Sequence, residues 1–232
     1  MTIDETHCVD CGAGMLNATA AKTGGKCIPC KRGTRAEIEE NKKWYAERRR
    51  LEKVNEAARL RILQTPNPIF ADFVTEEDPL GVLWLVICET VFSGTDEDEN
   101  IDALSPEARA IYLVNLFNAE VLNGGLHQFF SNSSGNHSHE TLQALLKVGA
   151  THSVRLFSKA AGAFPEGYVP SDRITRNEQL NKVNEREPKL LDELTSEFYA
   201  LTDTDTNPVR EDIYELLLSF FRSNPEAPIA NT

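Results

Sequence analysis

The chain is short of basic charge, of long apolar runs and of strand-like alternation. Its 232 residues hold 24 Lys and Arg against 36 Asp and Glu, a formal net charge of -12 at pH 7. That balance argues against a main body that binds nucleic acid directly, because phosphates would be repelled. The longest purely apolar run, Val82 to Cys88, is far below the roughly 20 residues of a membrane helix. The N-terminus, Met1 to His7, lacks an apolar stretch of the kind that marks secretion, so the expected location is cytoplasmic. No repeat of fixed period appears, which excludes solenoids and propellers. Hydrophobic residues at 41% exclude a chain disordered throughout.

What is present is unevenly placed. Residues 1–64 carry 13 Lys and Arg against 9 Asp and Glu, a net of +4. Residues 65–232 carry 11 against 27, a net of -16. Acidity of this size often serves solubility alone. Its division between two parts of the chain suggests that the parts do different work.

Four of the five cysteines stand in pairs. Cys8 and Cys11 form one C-x2-C knuckle, Cys27 and Cys30 a second, with 15 residues between them. Two knuckles supply four soft ligands, the set that a structural, tetrahedral Zn2+ takes. Disulfides or redox-active thiols are the alternatives. Four protein ligands leave no open position for a substrate, so a catalytic zinc is not expected. Gly24-Gly25 suits a hairpin tip leading into the second knuckle. Cys88, within the apolar run, is expected in the core.

Thr34-Arg35-Ala36-Glu37 is a capping box, and no Gly or Pro follows before Thr65. A long helix is therefore expected from residue 34 to about 64. Its apolar stripe, Trp44, Leu51, Val54, Ala58 and Ile62, is narrow. The cluster Lys42, Lys43 and Arg48 to Arg50 is either a nucleic-acid contact or a solvated face of Glu–Arg pairs. Thr65-Pro66-Asn67-Pro68 marks a boundary. Three parts result: a zinc-ribbon-like segment at 1–33, a basic connecting helix at 34–66, and an acidic all-helical body at 67–232.

The fold class is mainly α. In the body, helices are expected at 78–92, 105–122, 137–148, 151–163, 187–201 and 208–222. Asn123-Gly124-Gly125 reads as the end of the second, and the tail from Pro225 as frayed. Asn123 to Gly135 is the most distinctive stretch. His127, His137 and His139 have no nucleophile or orienting carboxylate at a motif-like spacing, so catalytic residues are not assigned and an enzyme is not expected.

The stretch resembles the signature of the bacterial DNA-mimic protein family, an acidic helical domain formerly of unknown function. The resemblance rests on Asn123, Gly124, Gly125, Gln128, Phe129, Asn132, Ser133 and Gly135, then Ala144-Leu145 and Gly149-Ala150. Leu126 departs from it, standing where an aromatic is usual. The likeness covers about residues 69–222 and leaves out the cysteine segment. It implies an all-helical, often dimeric domain that presents carboxylates in place of DNA phosphates to a basic, DNA-binding protein. The motif itself is expected to build the fold. The carboxylates expected to face a partner are Asp96, Glu97, Asp98, Glu99 and Asp102, with Glu193 and Glu197, and Glu211 and Glu215, at helical spacing. The competing reading is a nucleic-acid-associated protein whose zinc ribbon and basic helix contact DNA or RNA, with the acidic body as a regulatory, protein-binding domain.

Overall fold

A computed structural model describes residues 5–92, 97–202 and 210–231. The chain forms two compact units, Met1–Val54 and Asn55–Thr232. In the first, β1 (Glu5–His7) pairs antiparallel with β2 (Gly14–Leu16), Thr6 opposite Met15. The first cysteine knuckle forms the turn between them. Gly12 supplies the positive φ of 71° that closes it, and its N–H donates to the Cys8 carbonyl at 2.9 Å.

Helix α1 (Asn17–Thr23) follows at once, and Gly24 is its left-handed C-cap at φ 69°. Gly24-Gly25 is therefore a helix stop, not the expected hairpin tip. The Ala-containing run before it favours helix, and Gly at C′ is how such a helix ends. The Val9 N–H donates to the Gly25 carbonyl at 3.0 Å, which draws the second knuckle toward the first. Cys27 is the N-cap of α2 (Ile28–Arg32), Pro29 lies in its first turn, and Gly33 ends it at φ 72°.

Helix α3 (Arg35–Ile62) is the long helix expected. Residues 40–50 are exposed throughout. The boundary between the units falls inside α3, earlier than the Pro-marked boundary read from sequence. The reason is burial: Asn55, Ala58 and Ile62, on the last turns, belong to the core of the second unit.

That unit is helical. Helix α4 (Pro79–Val91) starts at Asp78, whose side chain accepts from the Gly81 N–H at 3.0 Å. Helix α5 (Glu97–Ala103) carries most of the acidic cluster that begins at Asp96 in the sequence. Helix α6 (Pro106–Ser131) is the centre, packing on α4, on α7 (Ser138–Val148), and on α9, α10 and α11, given next. After α8 (Thr151–Gly162) come α9 (Arg173–Arg186), α10 (Leu190–Thr202) and α11 (Ile213–Ser223). The rings of Phe117, Phe129, Phe130, Phe157, Phe164 and Phe198 form one buried cluster, with centroids 5.2–5.7 Å apart. Each such ring contributes roughly 1.5–3 kcal/mol by leaving water.

The sequence did not signal α9. Only Leu180 and Val183 are buried apolar residues on it, too few to set a helical stripe, and its third buried side chain is Arg176. The tail is not frayed. Phe70 and Ala71 N–H donate to the carbonyls of Ala227 and Pro225, Ser105 N–H to that of Ile229, and Asn231 N–H to that of Ala103. Ile229 is buried. The expected start of the last helix at 208 lies outside the described residues; Asp212 caps the helix that is described. Among the described residues, no helix is long and apolar enough to cross a membrane.

Candidate metal centre and interaction surface

The two knuckles converge. The Sγ atoms of Cys8, Cys11, Cys27 and Cys30 all lie within 4.8 Å of one another, and Cys11 and Cys27 are 3.7 Å apart. Zn–S bonds of about 2.3 Å in a tetrahedron require sulfurs about 3.8 Å apart, so the donor set fits that ion in chemistry and spacing. Cys8 and Cys27 are buried, Cys30 is half-buried and Cys11 exposed. The Cys27 N–H donates to Cys8 Sγ at 3.2 Å. That bond, chief among several from backbone N–H groups, lowers the Cys8 thiol to about 6 against the pull of burial. Burial, then hydrogen bonds with the neighbouring thiols, pushes Cys30 up. Asp10, in the first knuckle, pairs with Lys26, just before the second, at 3.0 Å and holds the ammonium above its ordinary range. His7 is exposed and not part of the cluster. Cys88 lies apart, half-buried on α4, its thiol raised to about 11 by burial.

The Asn123–Gly135 motif is a lock in the fold. Helix α6 does not stop at it. The helix kinks at Gly124 (φ -155°) and Gly125 (φ 77°, ψ -178°) and continues to Ser131. The break releases the Leu126 N–H, which donates to Thr195 Oγ1 on α10 at 3.0 Å. A Cβ on Gly125 would stand 2.9 Å from that same oxygen, and one on Gly124 would collide with the Gln128 carboxamide. Gln128 Nε2 donates to Glu120 at 2.6 Å, Asn132 Nδ2 to the same carboxylate at 3.0 Å, and Ser134 Oγ at 3.3 Å. One carboxylate thus gathers three polar side chains. Phe129 joins the ring cluster. Leu126, although not aromatic, is fully buried. Asn123 and Ser133 are exposed at its edge.

Arg176 completes the lock, and nothing in the sequence pointed to it. It is 0% exposed. Its guanidinium donates to the carbonyls of Phe130 (2.6 Å), Asn132 (2.8 Å), Pro170 (2.9 Å) and Ser171 (2.8 Å), and to Asn136 Oδ1 (2.8 Å). Burial, then the charge of Arg173, pulls its pKa down, but guanidinium keeps its proton in proteins. Five donors in a planar fork tie two carbonyls at the end of α6, Phe130 and Asn132, to those of Pro170 and Ser171 ahead of α9 and to the Asn136 side chain. Gly135 is required because a Cβ there would lie 2.6 Å from Arg176 Nε.

The carboxylates fare differently from one another. Asp96 lies outside the described residues; Glu97, Asp98 and Glu99 are placed on α5 by backbone alone. Asp102 is exposed and pairs with Arg109, which also holds Glu140. Glu193 is exposed on α10; Glu197, one turn on, pairs with Arg155 at 2.9 Å. Glu215 is exposed on α11. Glu211 corrects the expectation of a surface pair with Glu215. It precedes α11, is 6% exposed, and accepts from the N–H groups of His152 and Ser153, each at 2.8 Å, and from Ser153 Oγ at 2.5 Å. It serves the N-terminus of α8, where a carboxylate is favourable. The basic cluster of α3 is largely paired within its own helix: Lys42 with Glu39 (3.1 Å), Arg48 with Glu52 (3.1 Å), Arg50 with Glu47 (2.6 Å). Arg48 also lies over the Trp44 ring, 5.4 Å from its centroid.

A family model described as DMP19-like protein matches residues 102–224. That span contains α6 to α11 and the whole lock. No curated protein and no solved structure gives a match.

Proposed function

The chain belongs to the DMP19-like protein family, a family of DNA mimics, and from that premise we propose that its acidic helical body binds a basic, DNA-binding protein in place of DNA. The observation that carries this reading is the family match over residues 102–224, which hold 17 Asp and Glu against 11 Lys and Arg, with ten further acidic residues of the body and no basic one outside that span. The lock supports it from another side. Gln128, Asn132 and Ser134 are engaged by Glu120, and the motif's carbonyls at Phe130 and Asn132 by Arg176, so the motif holds the scaffold and recognition falls to exposed groups. Glu193, Glu215 and Asp102 are the carboxylates we assign to a partner, together with the acidic segment Asp96 to Glu99. Glu211 is not among them. The reaction is association only, without catalysis.

We further assign the four thiolates to a structural Zn2+. The ion would be held by Cys8, Cys11, Cys27 and Cys30, and what it supplies is a cross-link between the hairpin and α2. The competing role for α3, direct contact with nucleic acid, is disfavoured by the pairing of its cations with Glu39, Glu47 and Glu52.

The test uses the full chain, immobilised, with purified basic DNA-binding proteins and a duplex of random sequence. Capture that falls steeply with salt and is competed by the duplex is expected. Capture that the duplex does not compete would overturn mimicry, and a gel shift of the duplex by the chain itself would restore the nucleic-acid reading. Elemental analysis of the chain purified without chelator should return one zinc per chain; well under one would remove the zinc assignment.

A further inference from the structure

The four thiols are not equivalent in reach. Among the described residues of the first unit, the buried side chains are those of Cys8 and Cys27. Cys30 is half-buried on α2, while Cys11 is exposed at the end of the hairpin turn. Gly12 follows it, with open space where a side chain would stand, so nothing at that position screens the sulfur. An oxidant arriving from water meets Cys11 first. All four sulfurs lie within 4.8 Å of one another, and that of Cys27, on the other knuckle, is 3.7 Å from Cys11.

We propose that Cys11 is a peroxide-sensitive thiol with Cys27 as its resolving partner, which makes the metal centre a reversible oxidative release switch. The proposal rests on the zinc assignment above. The Cys11 thiolate attacks hydrogen peroxide: an S–O bond forms, the O–O bond breaks, and hydroxide leaves. Sulfur is oxidised by two electrons to the sulfenic acid, and peroxide is reduced. The Cys27 thiolate then attacks the Cys11 sulfur. An S–S bond forms, the S–O bond breaks, and a second hydroxide leaves. One peroxide and two thiolates have become one disulfide and two hydroxides. The ion loses one ligand from each knuckle. Because the bond joins Cys11 to Cys27, neither knuckle keeps a complete pair to hold the ion. A dithiol reductant with added zinc reverses the sequence.

The experiment treats the zinc-loaded full chain with hydrogen peroxide in the presence of a chromogenic zinc chelator and a sulfenic-acid trap, followed by peptide mapping. One zinc per chain should be released, the trap should mark Cys11 first, and the disulfide should join Cys11 to Cys27. Dithiothreitol with zinc should restore the starting metal content. First capture of the trap at another cysteine, disulfides formed within each knuckle, or zinc retained with its thiols intact would each overturn the proposal. Cys11→His keeps a zinc ligand but removes the exposed sulfur, and should slow release by about tenfold or more. If that variant holds no zinc, the map of the wild-type chain decides. A chain purified without zinc refutes the zinc assignment instead, and the disulfide map of that metal-free chain still reports separately on the Cys11–Cys27 pair.

Discussion

The two units are held together by opposite means. Between residues 5 and 54 the buried side chains are two cysteines; from Asn55 onward the chain buries nine phenylalanines and a continuous set of aliphatic residues. Among its described residues the first unit has no apolar core to lose, so its fold depends on whatever draws four sulfurs together. The second has a continuous apolar core and gathers its buried arginine and several polar side chains at the kinked end of α6. A small unit made stable by coordination can be switched off by removing one ion. A body made stable by packing cannot, and it offers a fixed surface for recognition.

The largest expected effect follows from that contrast. Chelation of the zinc-loaded chain should unfold the first unit, since structural zinc contributes about 10–16 kcal/mol in small domains. Amide exchange should show it: the Val9 N–H, which donates to the Gly25 carbonyl across the knuckles, and the N–H groups of Gly12 and Gly25, which donate to the carbonyls of Cys8 and Ala20, should lose protection, while those of α6 keep theirs. If the knuckle amides stay protected without metal, the first unit has a source of stability beyond its thiolates.

The second effect is confined to the body. Arg176→Met takes the guanidinium from the carbonyls of Phe130, Pro170 and Ser171 and the Asn136 carboxamide, while the Asn132 carbonyl keeps the Gly135 N–H. A loss of about 4 kcal/mol is expected in urea unfolding, with zinc content unchanged. Arg176→Lys should recover only part of it, because an ammonium cannot span the same five acceptors. A loss under about 1 kcal/mol for the Met variant would mean that the lock is incidental.

A third, smaller effect tests the kink. Gly125 sits at φ 77° and ψ -178°, a region essentially reserved for glycine, with Thr195 Oγ1 2.9 Å from where a Cβ would be. Gly125→Ala should cost about 1–3 kcal/mol. The cost should shrink in the background Thr195→Ser, which removes the methyl 3.0 Å from that Cβ and keeps the hydroxyl that accepts from Leu126.

These sites differ in how much of them could be read in advance. The cysteine spacing anticipated the cluster of four thiols that could hold a metal ion, because C-x2-C pairs constrain geometry locally. The helices with caps and apolar stripes, α4, α7 and α8, were legible for the same reason: Asp78-Pro79 and Gly149 act within one turn. Local signals failed where distant groups decide. Gly124-Gly125 carries a helix-stop pattern, yet the helix continues because Thr195, 69 residues away, receives the freed N–H. Helix α9 has little periodicity, because what it gives the core is a guanidinium. Glu211 and Glu215 have helical spacing, but the N-terminus of α8 draws Glu211 inward. These three misreadings turn on polar contacts between distant residues, which no window of neighbours encodes; Gly24-Gly25, in contrast, ends a helix that its own neighbours form.

The smallest effect on stability is also the sharpest test of the division of labour. Glu193 and Glu215 are exposed on α10 and α11, so Glu193→Gln and Glu215→Gln should leave unfolding within about 0.5 kcal/mol of wild type. A body that stands in for DNA should nonetheless lose affinity for its basic partner, by about twofold to fivefold for each neutralised charge at low salt, and by less as salt screens the rest. Glu211→Gln supplies the inverse control. Its carboxylate is buried at the start of α8, so that variant should lose about 1–2 kcal/mol of stability while binding of the folded fraction is unchanged. If Glu193→Gln and Glu215→Gln bind as wild type does, recognition does not run through α10 and α11, and the acidic segment around α5 becomes the surface to neutralise next. If Glu211→Gln weakens binding without destabilising the fold, the separation of lock from surface fails at its most exposed assumption.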